Sequence, residues 1–192
     1  YVRDQGLTRK DHIPVATATG VITLHVEADG QVTVDMGVPI FEPAEIPFAA
    51  DSRAEIYPLE VEATQVEISA VSMGNPHAVL RVEQVDKAPV NSLGPRIESH
   101  VRFPRRVNVG FMQVVDRQHI RLRVYERGIG ETLACGTGAA AAAATGIRRG
   151  VLESQVTVEL PGGSLEVNWR GTGTDLWQTG QTTKVYEGVV EI

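Results

Sequence analysis

Alternating apolar and polar residues run through most of this chain and predict a protein built mainly of β-strands. Residues 20–36 read as a hairpin whose turn lies at Asp29 and Gly30, and residues 155–169 repeat that plan around a Pro-Gly-Gly turn. Residues 120–124 form another alternating run. Residues 184–192 are predicted to be a final strand.

Helical signals are few. Residues 139–149 contain six consecutive alanines, and a helix that is apolar on every side is expected to be buried. Residues 91–99 are a second candidate helix. Residues 1–6 read as the last turn of a helix with Gly6 as its C-cap. We therefore predict an α+β fold in which a mostly antiparallel sheet wraps around one apolar helix.

A proline-rich segment, residues 37–47, interrupts the alternation and predicts a domain boundary at residue 37. Residues 1–36 and 181–192 would then belong to one unit, to which the C-terminal strand returns. Residues 37–180 would form the other. The first unit would leave apolar strand faces uncovered.

Composition limits the functional classes. The chain has 192 residues, of which 42% are hydrophobic and 22% charged, as in ordinary globular proteins. A net charge of −6 argues against nucleic acid as a partner, and no apolar run approaches the length of a membrane span. The histidines are scattered, so no metal-ligand cluster is expected. A single cysteine excludes an internal disulfide, and a reactive thiol suits the reducing cytoplasm.

That cysteine, Cys135, is the strongest functional signal. It precedes Gly136-Thr137-Gly138 and the alanine run, so we expect it at the start of a helix. The free amides and the dipole there are predicted to stabilise a thiolate and to receive a ligand's carboxylate. The alternative interpretation is an inert cysteine packed as a small hydrophobe.

A charged pair, Glu126 and Arg127, ends the strand before the glycine loop. It is predicted to hold the ammonium and the carboxylate of an amino acid, although such pairs are often only solvated surface. Residues 72–77 read as a site loop in which Pro76 makes Asn75 extended or part of a turn and His77 is placed to orient or tune a thiol. The alternative interpretation of this segment is a plain turn.

An asparagine, Asn108, lies inside an apolar strand segment, residues 107–111. A buried amide without a hydrogen-bond partner costs about 1–3 kcal/mol. Asn108 is therefore expected to bond either a ligand or a neighbouring loop.

Four strings together carry a family resemblance. MGNPH (73–77), NVGF (108–111), YERG (125–128) and ACGTG (134–138), in that order and spacing, resemble the C-terminal two thirds of the diaminopimelate epimerase family. LPGG (160–163) and VYEG (185–188) extend the resemblance, which runs from Tyr1 to Ile192. It implies a cofactor-independent isomerase that interconverts LL- and meso-2,6-diaminopimelate for lysine and peptidoglycan synthesis. It also implies two pseudo-symmetric domains, each presenting one cysteine to the substrate's α-carbon.

The resemblance assigns roles by position. Cys135 matches the second catalytic cysteine, which acts as a base in one direction and as an acid in the other. His77 and Glu126 match residues that tune the thiols, and Tyr186 matches a tyrosine associated with dimer formation. The positions that match substrate contacts are Asn75, Asn108, Glu126, Arg127, Gly136 and Thr137.

The chain departs from the family in one respect. The family's first catalytic cysteine lies in an asparagine- and glycine-rich loop, and this sequence has neither that loop nor a second cysteine. We therefore predict a fragment in which residues 1–36 are the remnant of the first domain, and which is inactive or nearly inactive as an epimerase by itself.

Two other functions fit the sequence. One is a related cofactor-independent isomerase or racemase of another small amino acid, including enzymes that resemble those of phenazine synthesis. The other is a non-catalytic assembly module in which Cys135 is inert. A depressed thiol pKa would favour an enzyme, and an ordinary one would favour the module.

Overall fold

The computed structural model describes residues 1–17 and 20–189, and within them the chain forms twelve strands, two α-helices and one 3₁₀ turn at Val85–Lys87. The helices are α1 (Val90–Glu98) and α2 (Gly136–Arg148). The strands are β1 (His12–Thr17), β2 (Gly20–Val26), β3 (Val32–Asp35), β4 (Tyr57–Val61), β5 (Thr64–Ser72), β6 (Pro76–Arg81), β7 (Asn108–Asp116), β8 (His119–Glu126), β9 (Gly130–Thr132), β10 (Gln155–Leu160), β11 (Gly163–Trp169) and β12 (Leu176–Gly180).

The strands form one sheet, in the order β1-β2-β3-β12-β11-β10-β8-β7-β6-β5-β4, and β9 adds to β8. Neighbouring strands are antiparallel except for two parallel pairs, β10 with β8 and β6 with β7. The prediction of a mostly antiparallel sheet is confirmed.

Helix α2 lies inside the curve of this sheet. It contacts β5, β6, β7, β8, β10, β11 and β12, strands that can all reach one helix only if the sheet bends around it. The six alanines, residues 139–144, have no exposed surface. Their small side chains let strands approach the helix from several sides. The predicted buried helix and the α+β class are therefore confirmed.

The other face of the sheet carries a second core. Along β5 and β6 the buried residues alternate, so that Val71 and Val79 face α2 whereas Ala70 and Ala78 face away. The second set packs with α1 and with aromatic residues of the flanking loops, such as Phe103. The central strands are thus covered on both faces, which explains their continuous apolar runs.

Several local predictions are confirmed. β2 pairs with β3 and β10 with β11 as antiparallel hairpins, and both predicted helices form at nearly the expected bounds. At the N-terminus, the Gly6 amide donates to the Arg3 carbonyl and the Leu7 amide to that of Val2. With a φ of +67° at Gly6, these bonds form the predicted glycine-capped turn.

The predicted final strand is wrong for residues 184–189, and residues 190–192 lie outside the described part of the chain. Residues 181–189 contain no strand. A strand needs a partner edge for its backbone groups, and no described strand pairs with this segment. Its apolar side chains, Val185, Tyr186 and Val189, are consequently exposed.

The domain boundary at residue 37 stays a prediction. β3 pairs with β12, so the sheet itself joins the first segment to the rest of the chain. None of the described residues before residue 37 is buried. Ile13, Leu24 and Val34 share one face of β1–β3 through the strand register and remain half-exposed there. No helix in the described ranges has the length and hydropathy that a membrane crossing requires.

Replacing Ala142 with Leu should destabilise the fold. Three extra carbon atoms in a fully buried helix position force neighbouring strands apart, at a cost of about 1–3 kcal/mol. Urea unfolding measures the change in the free energy of unfolding. Ala44→Leu, at an exposed position, is the control. Equal stability of the two variants would contradict the tight packing of α2.

Candidate active site

The predicted site residues, apart from Tyr186, gather where β6 and β7 begin, β8 ends and α2 starts. The register brings His77 beside Asn108 and the start of β7 beside the end of β8. A hydrogen bond from Asn75 to Thr137 then links the residue before β6 to the start of α2, and one from the Arg127 amide to Asn108 links the end of β8 to β7. Tyr186 lies in the strand-free segment 181–189 and is 84% exposed.

Cys135 is the N-cap residue of α2. Its backbone is extended, with φ −142° and ψ 103°, and its carbonyl accepts the first helical hydrogen bond, from Ala139. The side chain is 7% exposed. A Cβ at Gly138 would lie 3.1 Å from the thiol sulfur and 3.0 Å from Val124 Cγ2. Glycine at residue 138 therefore leaves the space in which the thiol packs.

The surroundings of the thiol raise its pKa. Burial is the main cause, since it disfavours the charged thiolate. The Thr137 hydroxyl, 3.7 Å from the sulfur, and the Gly138 amide act in the opposite direction, whereas the Glu126 carboxylate raises the pKa further. The expected thiolate is thus contradicted, because the helix start does not outweigh burial and a nearby negative charge.

A threonine, Thr132, fixes Glu126. Its hydroxyl donates to Glu126 Oε1 over 2.6 Å, across the short antiparallel pair of β8 and β9. No sequence motif assigns a role to Thr132, although it lies three residues before Cys135. Its only signal was a hydroxyl at a strand end near a carboxylate.

An ion pair between Arg123 and Glu131 holds β9 in place. The guanidinium of Arg123 donates to both carboxylate oxygens of Glu131, over 2.6 and 2.9 Å, and Asn91 donates to the same carboxylate. This pairing keeps the pKa of Glu131 below its usual range. Because β9 carries Thr132, the ion pair indirectly positions the carboxylate beside the thiol.

Asn75 links a buried histidine to the helix start. The predicted loop 72–77 is shorter than expected, since β5 ends at Ser72 and β6 begins at Pro76, which places His77 within a strand. Asn75 Nδ2 donates to Thr137 Oγ1 over 3.3 Å, and its Oδ1 lies 3.0 Å from His77 Nε2.

His77 is neutral and lies behind Asn75. Burial, aided by the charge of Arg127, lowers its pKa to about 3. Because a carbonyl oxygen only accepts, Nε2 of the neutral ring is assigned the proton, which it donates to Asn75. His77 therefore orients Asn75, and its predicted influence on the thiol remains a prediction.

Asn108 bonds the backbone of two neighbouring segments with both ends of its amide. Its Nδ2 donates to the Pro76 carbonyl over 3.2 Å, and its Oδ1 accepts from the Arg127 backbone amide over 2.9 Å. The side chain of Arg127 is exposed and donates to the Arg105 carbonyl. Asn108 thus holds the exit of β8 against the start of β6.

Comparison with known proteins identifies the family. A sequence model of diaminopimelate epimerase matches residues 69–185. The diaminopimelate epimerase of Thioalkalivibrio sulfidiphilus is 61% identical over 193 residues, which cover 100% of this chain and 69% of that protein. Those of Nitrosomonas europaea and Pseudomonas aeruginosa are 57% identical and are covered to 70%.

The chain belongs to the diaminopimelate epimerase family.

Solved structures of other proteins show the same fold. A hydroxyproline epimerase from Agrobacterium vitis matches 94% of this chain and 61% of its own, with a TM-score of 0.61 and 20% identity. A Bacillus anthracis protein of the PhzF phenazine biosynthesis family matches 94% of this chain and 69% of its own, with a TM-score of 0.64 and 16% identity. The predicted epimerase-like fold is confirmed, and diaminopimelate epimerases are isomerases, as the resemblance implied.

The candidate site is distinct from the large concavities of the surface. Two of these have volumes of about 710 Å³. One is lined by residues such as Leu80 and Arg81, and the other by residues such as Tyr57 and Arg102. Neither includes a residue of the site around Cys135.

Replacing Glu126 with Gln should lower the pKa of Cys135, because the carboxylate beside the thiol favours its protonated form. The thiol should then be alkylated faster below the ordinary thiol pKa. The measurement is the rate of iodoacetamide reaction as a function of pH. Glu166→Gln, an exposed position on β11, changes the net charge equally and should leave the profile in place. An unchanged or raised pKa in Glu126→Gln would refute the electrostatic contact.

Replacing Arg123 with Met should destabilise the chain in a pH-dependent way. The folded pKa of Glu131 lies below its unfolded value, so its stabilising effect is complete above the unfolded pKa and disappears as pH falls through the folded pKa. We expect a loss of about 1–3 kcal/mol at pH 7 that shrinks under acid conditions. Urea unfolding across the acid range measures it.

The matched control for that prediction is Arg117→Met, which removes a more exposed ion pair to Glu153. It should cost little at any pH. A loss in Arg123→Met that is independent of pH would show that the ion pair with Glu131 does not account for the stability.

Proposed function

We propose that Cys135 exchanges the α-proton of 2,6-diaminopimelate, as one thiol of the two-thiol epimerisation that the family resemblance implies. The observation that carries the proposal is the buried thiol at the start of α2, beside a fixed carboxylate, in a chain 57–61% identical to diaminopimelate epimerases. The reaction needs no cofactor in this proposal, since both proton transfers use side chains.

The start of α2 would receive the substrate's carboxylate. The first amides of a helix have no partner within it, and here they belong to Gly136 and Thr137. They would hold the carboxylate at the reacting centre and stabilise the negative charge that develops when the α-proton leaves. Asn75, Asn108 and Arg127 remain proposed substrate contacts.

Glu126 would bind the substrate's ammonium group. In the free chain its negative charge raises the pKa of Cys135, so the thiol rests in the protonated form. An ammonium group beside Glu126 would offset that charge and lower the thiol pKa. The thiolate would then form mainly when substrate is present and act as a base towards the α-carbon.

Inversion of configuration needs a second acid on the opposite face of the α-carbon. Cys135 is the only cysteine in these 192 residues. We therefore propose that this chain alone removes the α-proton from one face of the α-carbon and returns a solvent-derived proton to the same face.

The remaining assignments are also proposals. Residues 37–180 would form the domain that carries Cys135, with residues 1–36 and 181–192 belonging to the other. The exposed Tyr186 would contribute to a homodimer. A free, functional thiol is best preserved in the reducing cytoplasm.

Proton NMR in deuterium oxide tests the proposal. The purified chain should replace the α-proton at one stereocentre of diaminopimelate by deuterium without forming the other isomer. Cys135→Ala should abolish the exchange. trans-4-Hydroxyproline serves as the comparison substrate and should not exchange.

Three outcomes would contradict the proposal. Exchange that persists in Cys135→Ala would exclude the thiol as the base. Faster exchange of hydroxyproline than of diaminopimelate would point to a different amino acid. Rapid interconversion of the LL and meso isomers would disprove the single-face limit.

A further inference from the structure

A buried glutamine, Gln178, faces the start of α2 from β12. It is 7% exposed and lies between Val34 of β3 and Val167 of β11 in the sheet register. A buried amide that lacks hydrogen-bond partners costs about 1–3 kcal/mol. Its position on the helix-facing side of the sheet therefore requires a polar partner there.

That partner is the first residue of the helix. Gln178 Nε2 donates to the Gly136 carbonyl over 3.1 Å. A Cβ at Gly136 would lie 3.2 Å from Gln178 Oε1, so the absence of a side chain at residue 136 allows this close approach. The glutamine thus holds the backbone of Gly136 against the sheet.

The strand that carries Gln178 is well anchored. β12 pairs with β11 on one side and with β3 on the other, and Leu176, two residues earlier, is fully buried against the core around α2. A side chain on this strand is a fixed reference for the helix start. At the thiol itself, the polar groups that act on Cys135 are those of Thr137, Gly138 and Glu126.

We infer that Gln178 is a positioning residue of the active site. By holding the Gly136 carbonyl, it fixes the direction in which the Gly136 and Thr137 amides point. It also fixes the Gly138 amide and the Thr137 hydroxyl relative to the thiol. This inference rests on the proposed function, because those amides matter as the carboxylate site of that proposal.

The pH dependence of Cys135 alkylation tests this role on the whole chain. Gln178→Met has a similar length and no hydrogen-bond donor. Its loosened helix start should support the thiolate less well, so the midpoint of the alkylation profile should rise by about 0.5–1 pH unit. In the same variant, the ability of meso-diaminopimelate to protect Cys135 from alkylation should weaken about threefold to tenfold.

Thr179→Val is the matched control. Thr179 is the next residue on β12, points to the other face and bonds Thr33, so the midpoint should stay at the value of the unsubstituted chain. An unchanged midpoint in folded Gln178→Met, or an equal shift in Thr179→Val, would overturn the inference.

A measurement on the unsubstituted chain covers the case in which Gln178→Met does not fold. The side-chain amide protons of Gln178 should exchange with solvent more slowly than those of the exposed Gln65 in NMR spectra. Equal exchange would overturn the inference. If diaminopimelate does not protect Cys135 of the unsubstituted chain from alkylation, that result would instead count against the proposed function. The midpoints of the alkylation profiles would still decide the role of Gln178.

Discussion

Burial of an alanine helix inside a curved sheet is the constraint on which the rest of this structure depends. The six alanines of α2 let seven strands pack around one helix, and no larger side chain would fit at those positions without moving strands. The same packing fixes where the helix starts. Cys135 is therefore held at the edge of the core, at the point where three strand ends meet.

The position of the thiol creates two opposing electrostatic effects. The helix start, the Thr137 hydroxyl and the Gly138 amide favour a thiolate, whereas burial and the Glu126 carboxylate favour the protonated thiol. Burial and the Glu126 carboxylate prevail when no substrate is bound. A substrate that brings an ammonium group to Glu126 would reverse part of this balance, which would couple ionisation of the thiol to substrate binding.

Much of the fold could be predicted from the sequence because the patterns were local. Alternation located the hairpins 20–36 and 155–169, and the alanine run located α2. The final strand could not be predicted in this way, since residues 184–189 contain apolar side chains but find no partner edge among the described strands. Periodicity describes a strand's faces and says nothing about its neighbours.

The candidate site shows the same division. Motifs located Cys135, Glu126 and Asn75, and the structure brings them together. Thr132 and Gln178 carried no motif, because their roles depend on contacts between distant strands. The sequence predicts a low pKa for Cys135 because it reveals the helix start. It does not reveal how deeply the thiol is buried, and burial raises the pKa.

The most direct measurement is a titration of the thiolate absorbance of Cys135, without and with meso-diaminopimelate. We expect the pKa of the free chain to lie above that of an ordinary cysteine and to fall when the ligand binds, because the ligand's ammonium group offsets the charge of Glu126. A pKa below the ordinary value in the free chain, or one that the ligand leaves unchanged or raises, would contradict the proposed coupling between substrate binding and ionisation of the thiol.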